Sequence, residues 1–365
     1  MSGATGAGRP DLLELCAELV DIPSVSHHEE RLADHVEARL REVPWLEVTR
    51  VANNVVARTG LGRPHRLVLA GHTDTVPANG NAGARIEGDT LWGLGAADMK
   101  GGLAVALHLA ATVEHPAVDM TYVFYECEEV DSRFNGLRRL LAERPELLAG
   151  DAAILGEPTD AVVEAGCQGS LRVAVRLAGA RAHTARPWMG RNAIHRLGPL
   201  LTRLASYEER RPSIGGCTFR EAMQAVGVSA GVAGNVVPDR AELIINHRFA
   251  PDRSVAQAVD HVRTVVGGVV DDTGEDELEV LDASEPAPPA LDHPLLASLV
   301  ASTGQPPRAK LGWTDVSFFS AAGIPATNFG PGDPTLAHTA QERVERSSLE
   351  AALVCLRRLV TGGAG

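Results

Sequence analysis

Leu67-Val68-Leu69-Ala70-Gly71-His72-Thr73-Asp74-Thr75-Val76-Pro77 joins a short apolar run to a glycine and then to two side chains able to serve a metal. An apolar run of this length closed by glycine suits a strand buried on both faces of a parallel sheet. His72 and Asp74 then stand at its carboxyl end. Residues two apart on an extended chain project to the same side, so the Asp74 carboxylate can bond one imidazole nitrogen of His72 while the other binds metal. Alone, His-x-Asp is a weak signal, because a histidine at a strand edge is more often a hydrogen-bonded structural residue.

The pattern gains weight by recurring. Met120 to Tyr125 ends in Glu126-Cys127-Glu128-Glu129; Ala152 to Leu155 ends in Gly156-Glu157-Pro158-Thr159; Ile324 to Phe329 leads through Gly330-Pro331-Gly332 to His338. Asp98, in Asp98-Met99-Lys100-Gly101-Gly102, stands just before a helical run. In open α/β sheets, groups beyond the carboxyl ends of the strands converge on one crevice. Imidazoles and carboxylates without thiolate favour zinc or a similar hydrolytic divalent ion over a closed structural site. His72, Asp98, Glu129, Glu157 and His338 are too many ligands for one catalytic zinc. With one carboxylate bridging, they divide as three to each of two ions about 3.5–4 Å apart. Asp98 is the natural bridge.

Composition narrows the class. The chain has 365 residues, 44% hydrophobic and 22% charged, long enough for two domains and a sizeable core. Lys and Arg total 34 against 47 Asp and Glu, a net charge of -13, which disfavours nucleic acid and anionic membrane surfaces as partners. The five cysteines are scattered without CxxC spacing, so neither a disulfide framework nor a zinc knuckle is indicated and a cytoplasmic location is expected. Met1 to Pro10 lack the apolar core of a signal peptide. The apolar stretch Leu103 to Val113 is too short to span a bilayer.

Along the chain, Asp11 to Val20 is helical in pattern. Ser26-His27-His28-Glu29 has the form of a capping box before Leu32, Val36 and Leu40. From Ser170 the character changes: Leu171, Val173, Val175 and Leu177 alternate with Arg172, Ala174 and Arg176, a strand with one wet face. A helix from Asn192, strands near Ala225–Ala230 and Ala241–Phe249, a helix Val255–Val266 and a strand Leu278–Leu281 follow, the β-α-β-β-α-β order of a ferredoxin-like unit. Three prolines between Pro286 and Pro289 read as a linker, after which buried-strand character returns. The expected fold is therefore α/β, with a mainly parallel catalytic domain from residues 1–169 and 286–365 interrupted by an inserted domain, 170–285.

Glu128 and Glu129 are neighbours and would face opposite ways on a regular strand, so both serve one site only where the strand ends or bulges. Glu129 is assigned to metal and Glu128 to acid–base work, since hydrolysis needs a free carboxylate that takes a proton from water and returns it to the leaving amine. Together, Gly71 to Pro77, Asp98 to Gly102, Glu128-Glu129, Gly156 to Thr159 and the late His338 resemble the co-catalytic zinc aminoacylase/carboxypeptidase family over nearly the whole chain. The resemblance implies that His72, Asp98 and Glu157 hold one ion, that Asp98, Glu129 and His338 hold the other (zinc, with cobalt possible), and that Glu128 is the general base with Asp74 behind His72. It also implies that His183, in Gly179-Ala180-Arg181-Ala182-His183-Thr184-Ala185-Arg186-Pro187, completes an oxyanion site from a partner subunit, with the inserted domain acting as lid and homodimer interface.

Gly312 to Val316, Asn328 to Pro334 and Leu336 to Thr339 resemble the branch of the family that acts on a small acyl-amino acid carrying three carboxylates and one ammonium, which requires clustered cationic groups. By the same resemblance Arg248 and Asn235 bind substrate carboxylates, with Lys310 and Thr314 as further candidates. Leu94, and the pair Cys167-Gln168, stand where relatives carry arginine. Acetylornithine deacetylation, aminoacylase or peptidase activity on the same fold remain alternatives, as does a scaffold protein without chemistry.

Overall fold

The protein is described here from a computed structural model, which covers residues 11–271 and 274–363. The reading of Met1 to Pro10 lies outside the described residues. The described residues divide into two compact units, those up to 165, 290–308 and from 318 onward forming the first and those within 166–289 and 309–317 the second.

The first unit is built on an eight-stranded sheet in the order Glu47–Val51, Asn54–Arg58, Asp119–Tyr125, Arg66–His72, Ala152–Leu155, Ala326–Asn328, Glu164–Ala165, Arg308–Ala309. Its four central strands, Asp119–Tyr125, Arg66–His72, Ala152–Leu155 and Ala326–Asn328, run parallel. Antiparallel neighbours flank them. These four are buried nearly throughout, as parallel strands covered on both faces must be, and the antiparallel strand Asn54–Arg58 beside them is buried to the same degree.

Helix Gly101–Thr112 is apolar nearly all round and is buried from Gly101 to Ala110. Its first turn touches the end of a strand, where a Cβ on Gly102 would stand 2.1 Å from the Gly156 carbonyl oxygen. Only glycine permits that approach. Leu12–Val20 is a helix capped by Asp11, whose carboxylate accepts the Leu13 and Glu14 amides. Helix Glu30–Arg41 buries Leu32, Val36 and Leu40 against the same core.

The capping box read at Ser26–Glu29 does not form. Helix Glu30–Arg41 has Glu29 as its N-cap residue with no side-chain capping bond, because the Ser26 hydroxyl and the Glu29 carboxylate are engaged elsewhere, as described below.

The second unit holds a four-stranded antiparallel sheet in the order Ala222–Ala230, Arg240–Phe249, Gly169–Ala178, Glu277–Ser284, with helices Ala193–Ala205 and Val255–Val266. Leu171, Val173, Val175 and Leu177 pack with Leu197, Leu200 and Val262 in its core. Ala174, read as wet, is fully buried on the other face of a central strand. The proline-rich stretch is tied down rather than free: Ala287 pairs with Cys167 through two backbone bonds of 2.9 and 3.1 Å. Residues 309–317 join this unit, the Gln168 amide donating to the Lys310 carbonyl at 3.2 Å. No helix among the described residues is long and apolar enough to cross a membrane.

Candidate metal centre and active site

Each central strand of the first unit delivers one part of the cluster. His72 is the last residue of its strand and is 1% exposed. Its Nε2 lies 3.2 Å from Asp98 Oδ1. The other oxygen of Asp98, Oδ2, lies 3.4 Å from His338 Nε2, which is 2.8 Å from Glu129 Oε1. Glu157, two residues beyond strand Ala152–Leu155, brings an oxygen within 4.8 Å of ligand atoms on His72 and Asp98. Asp98, Glu129 and His338 form a second triad at the same spacing, and His72, Glu128 and Glu129 a third grouping. Two candidate ligand triads thus share Asp98.

The adjacent Glu128 and Glu129 reach one place because the chain has already left its strand. Strand Asp119–Tyr125 ends before them, and Cys127 takes a left-handed φ of 60°. Asp74 then fixes the turn: Oδ1 accepts the Glu128 amide at 2.9 Å, Oδ2 accepts the Glu129 amide at 3.0 Å, and the Ser26 hydroxyl donates to Oδ2 at 2.7 Å. The Asp74 carboxylate is correspondingly less committed to His72 than strand alternation suggested. His72 Nδ1 is 3.0 Å from the Asp74 backbone carbonyl and 3.5 Å from Oδ1, since the extended strand stops at His72.

Electrostatics within the cluster call for cations. Burial disfavours the His72 cation, yet the Asp74 and Asp98 carboxylates overcome it and hold its pKa well above the usual range. Hydrogen bonds to Asp98 and Glu129 push His338 up to about 10. Burial opposes the ionised form of Asp98, but the two imidazoles outweigh it and hold its pKa low. Four carboxylates and two imidazoles therefore meet with the imidazoles serving as the positive partners of Asp98 and Glu129. An all-oxygen-and-nitrogen donor set with surplus negative charge fits a pair of divalent ions of the zinc type.

Glu342 was not evident from the sequence. It is 2% exposed, and its Oε1 accepts the amides of Ala97 and Asp98 at 3.1 and 3.0 Å, holding the backbone at Asp98. Burial, with Asp98 nearby, raises its pKa to about 7. Lys100 pairs with no carboxylate at bonding distance and is not on the surface: it is 2% exposed, its Nζ donates to the Ile22 carbonyl at 2.8 Å, and burial lowers its pKa to about 8.

The remaining candidates lie in the second unit. His183 is exposed, and its Nδ1 accepts the Ala185 amide at 3.0 Å, which leaves Nε2 to carry the ring proton as a donor. Its loop is zipped to the one carrying Asn235, through the Thr184 amide to the Asn235 carbonyl at 3.1 Å and the Val237 amide to the Ala182 carbonyl at 2.8 Å. Arg248 is half-buried opposite Ser170, and burial lowers its pKa against the charge of Asp282. Lys310 and Thr314 are 9% and 4% exposed. Cys167 and Gln168 are both interior. The thiol donates to the Thr314 carbonyl at 3.6 Å and the Gln168 side chain accepts the Arg220 amide at 3.0 Å. Within this unit the pair packs rather than presenting side chains at the surface.

The family model for peptidase family M20/M25/M40 matches residues 68–362. The chain belongs to that family. A Mycobacterium tuberculosis protein named as a candidate succinyl-diaminopimelate desuccinylase, DapE, is 54% identical over 97% of this chain and 99% of its own length. The succinyl-diaminopimelate desuccinylase of Corynebacterium glutamicum is 46% identical over 91% of each chain. Among solved structures, a tripeptidase from Staphylococcus aureus superposes with a TM-score of 0.80 at 21% identity, covering 98% of this chain and 99% of that one. M20 membership and this likeness establish the fold: a mixed α/β main sheet whose central strands are parallel.

Proposed function

We propose that the protein is a two-metal amidohydrolase that cleaves N-succinyl-L,L-2,6-diaminopimelate to succinate and L,L-diaminopimelate, a step of diaminopimelate and lysine biosynthesis in the cytoplasm. The observation that carries this reading is Asp98, which turns one carboxylate oxygen toward each of two imidazoles within two ligand triads. The names of the relatives at 54% and 46% identity support the substrate. His72, Asp98 and Glu157 would hold one ion and Asp98, Glu129 and His338 the other, with zinc the native metal and cobalt a substitute.

When bound, the ions supply positive charge to the scissile carbonyl and lower the pKa of water toward neutrality. Glu128, held beside the ligands by the Asp74–amide bond, takes the proton of the attacking water and returns it to the leaving nitrogen. His183 Nε2–H donates to the developing oxyanion. Arg248 and Asn235, assisted by Lys310 and Thr314, bind the substrate carboxylates.

In this reading residues 170–285, which fall within the second unit of 166–289 and 309–317, are a ferredoxin-like lid and dimerisation domain inserted into the catalytic chain. Its edge strand Ala222–Ala230 leaves Val226 and Val228 58% and 67% exposed, and Ile194 and Leu201 are exposed on helix Ala193–Ala205. An unpaired apolar edge of that kind suits a second copy of the chain. A side-by-side assay of succinyl-diaminopimelate and acetylornithine tests the substrate. Release of succinate with little release of acetate is expected. Fast cleavage of another acyl-amino acid or of a tripeptide, with no succinate released, would replace the substrate and keep the chemistry.

A further inference from the structure

Ser26-His27-His28-Glu29 reads in the sequence as the start of a helix, and the fold uses it otherwise. Glu29 is fully buried although it bears a carboxylate. Its Oε1 accepts three hydrogen bonds: the His27 amide at 3.0 Å, the Cys127 amide at 3.2 Å and the Cys127 thiol at 3.3 Å. Its Oε2 is buried with no hydrogen-bond partner among the described residues. His27 and Cys127, at φ 73° and 60°, are both non-glycine residues in the left-handed region. Residues with a Cβ enter that region only where surrounding structure over-determines them. One carboxylate oxygen thus holds the amides of two such residues.

Cys127 is the residue that turns the chain so that Glu128 and Glu129 reach the cluster. Its amide is the first of three consecutive amides taken by buried carboxylates: Cys127 by Glu29, Glu128 by Asp74 and Glu129 by Asp74. Ser26, three residues before Glu29, secures the second carboxylate through its 2.7 Å bond to Asp74 Oδ2. The Cys127 thiol also lies 3.5 Å from His27 Nδ1, closing the arrangement on itself.

We propose that Glu29 is a positioning residue for the general base: it fixes the left-handed turn at Cys127 and through it the aim of Glu128, the next residue, more directly than that of Glu129 one residue further on, while Asp74 takes the amides of both. The role rests on the reading of Glu128 as base. It separates two quantities that a merely structural residue would change together, turnover and stability. Glu29→Gln keeps an oxygen for the amides but sets an NH2 on the buried side that offers no partner, so it lowers the melting temperature and keeps turnover. Glu29→Asp retains the charge and withdraws the oxygen from the Cys127 amide, so it lowers turnover.

The experiment compares Glu29→Gln, Glu29→Asp, Glu29→Ala and Glu128→Gln in the zinc-loaded full-length protein. Read-outs are kcat and KM for succinyl-diaminopimelate, zinc content and binding by calorimetry, and the melting temperature. Expected are a roughly 100-fold fall in kcat for Glu29→Asp with KM and two-zinc binding unchanged within about threefold, as for a small misplacement of a reacting group. Glu29→Gln should stay within about threefold of the parent kcat despite melting lower. Glu29→Asp decides the matter if Glu29→Ala does not fold. Three results overturn the proposal: parental kcat in Glu29→Asp, an equal loss in Glu29→Gln, or a loss in step with lost zinc. Turnover surviving in Glu128→Gln removes the base itself and the proposal with it. An inactive Glu128→Gln beside an active Glu29→Asp removes only the role of Glu29.

Discussion

His72 in the first unit and His183 in the second are held in opposite ways. In the first, His72, Asp74, Glu157 and the supporting Glu29 and Glu342 are buried, and backbone amides at the centre are held by carboxylates from distant parts of the chain. In the second, His183 stands on an exposed loop whose order comes from backbone bonds to the Asn235 segment. A group that must hold a highly charged ligand set is fixed from every side, since a misplaced buried charge is expensive. A group that donates one hydrogen bond needs only its tautomer set, which the Ala185 amide does. Changes in the first unit should therefore alter chemistry or metal content, and those at His183 should leave the metal alone.

The largest expected effect lies at Glu128. Glu128→Gln should lower kcat by about 10³-fold or more with two zinc ions still bound, measured by succinate release and metal analysis; parental turnover would break the assignment. Next is a pH effect confined to the second unit. His247 is fully buried, its Nδ1 faces the Ala222 carbonyl at 3.0 Å, and burial lowers its pKa to about 4. The folded chain then resists a proton that the unfolded chain, near 6.5, accepts. Stability should fall by roughly 3 kcal/mol as pH drops from about 6.5 through 4, and level off below. Melting of parent and His247→Asn across that range checks it: the variant should lose less on acidification, and equal slopes would count against His247.

His183→Ala should reduce kcat by about 100-fold and leave zinc affinity unchanged. Mixing it with Glu128→Ala chains should restore part of the activity if the donor acts across a dimer, and absence of rescue would confine it to its own chain. The smallest effect is expected at Glu342. Glu342→Ala leaves two buried amides beside Asp98 unpaired and should weaken zinc binding by roughly tenfold, read by chelator competition; undiminished affinity would show that the Asp98 backbone holds without it.

The parallel strands and the grouping at their ends were legible because buried strands are written mainly in apolar residues and each leads within about ten residues to a carboxylate or imidazole. Glu29 was not legible in its real role, because Ser-x-x-Glu before a helix is the same four residues whether it caps the helix or reaches across to strand ends. Glu342 lies between Gln341 and Arg343, a run with the polarity of a surface turn, and only the fold reveals that its carboxylate is 2% exposed. Asp74 does lie 3.5 Å from His72 Nδ1, but its bonds to the Glu128 and Glu129 amides were not legible, because they depend on where a distant strand ends. Residues 309–317 gave no local sign of joining the second unit, since that is decided by pairing with Gln168 and Cys167 more than 140 positions earlier.

Strand Ala326–Asn328 enters the sheet beside Ala152–Leu155, partners separated by more than 170 positions in the chain. His338 follows only after it. During synthesis, therefore, His72, Asp98, Glu128, Glu129 and Glu157 leave the ribosome long before their last companion, and the first part of the polypeptide carries a half-built anionic nest that has to wait. Such a distant closure slows folding. With His338 as a metal ligand, a nascent chain would hydrolyse nothing until nearly all of it had emerged.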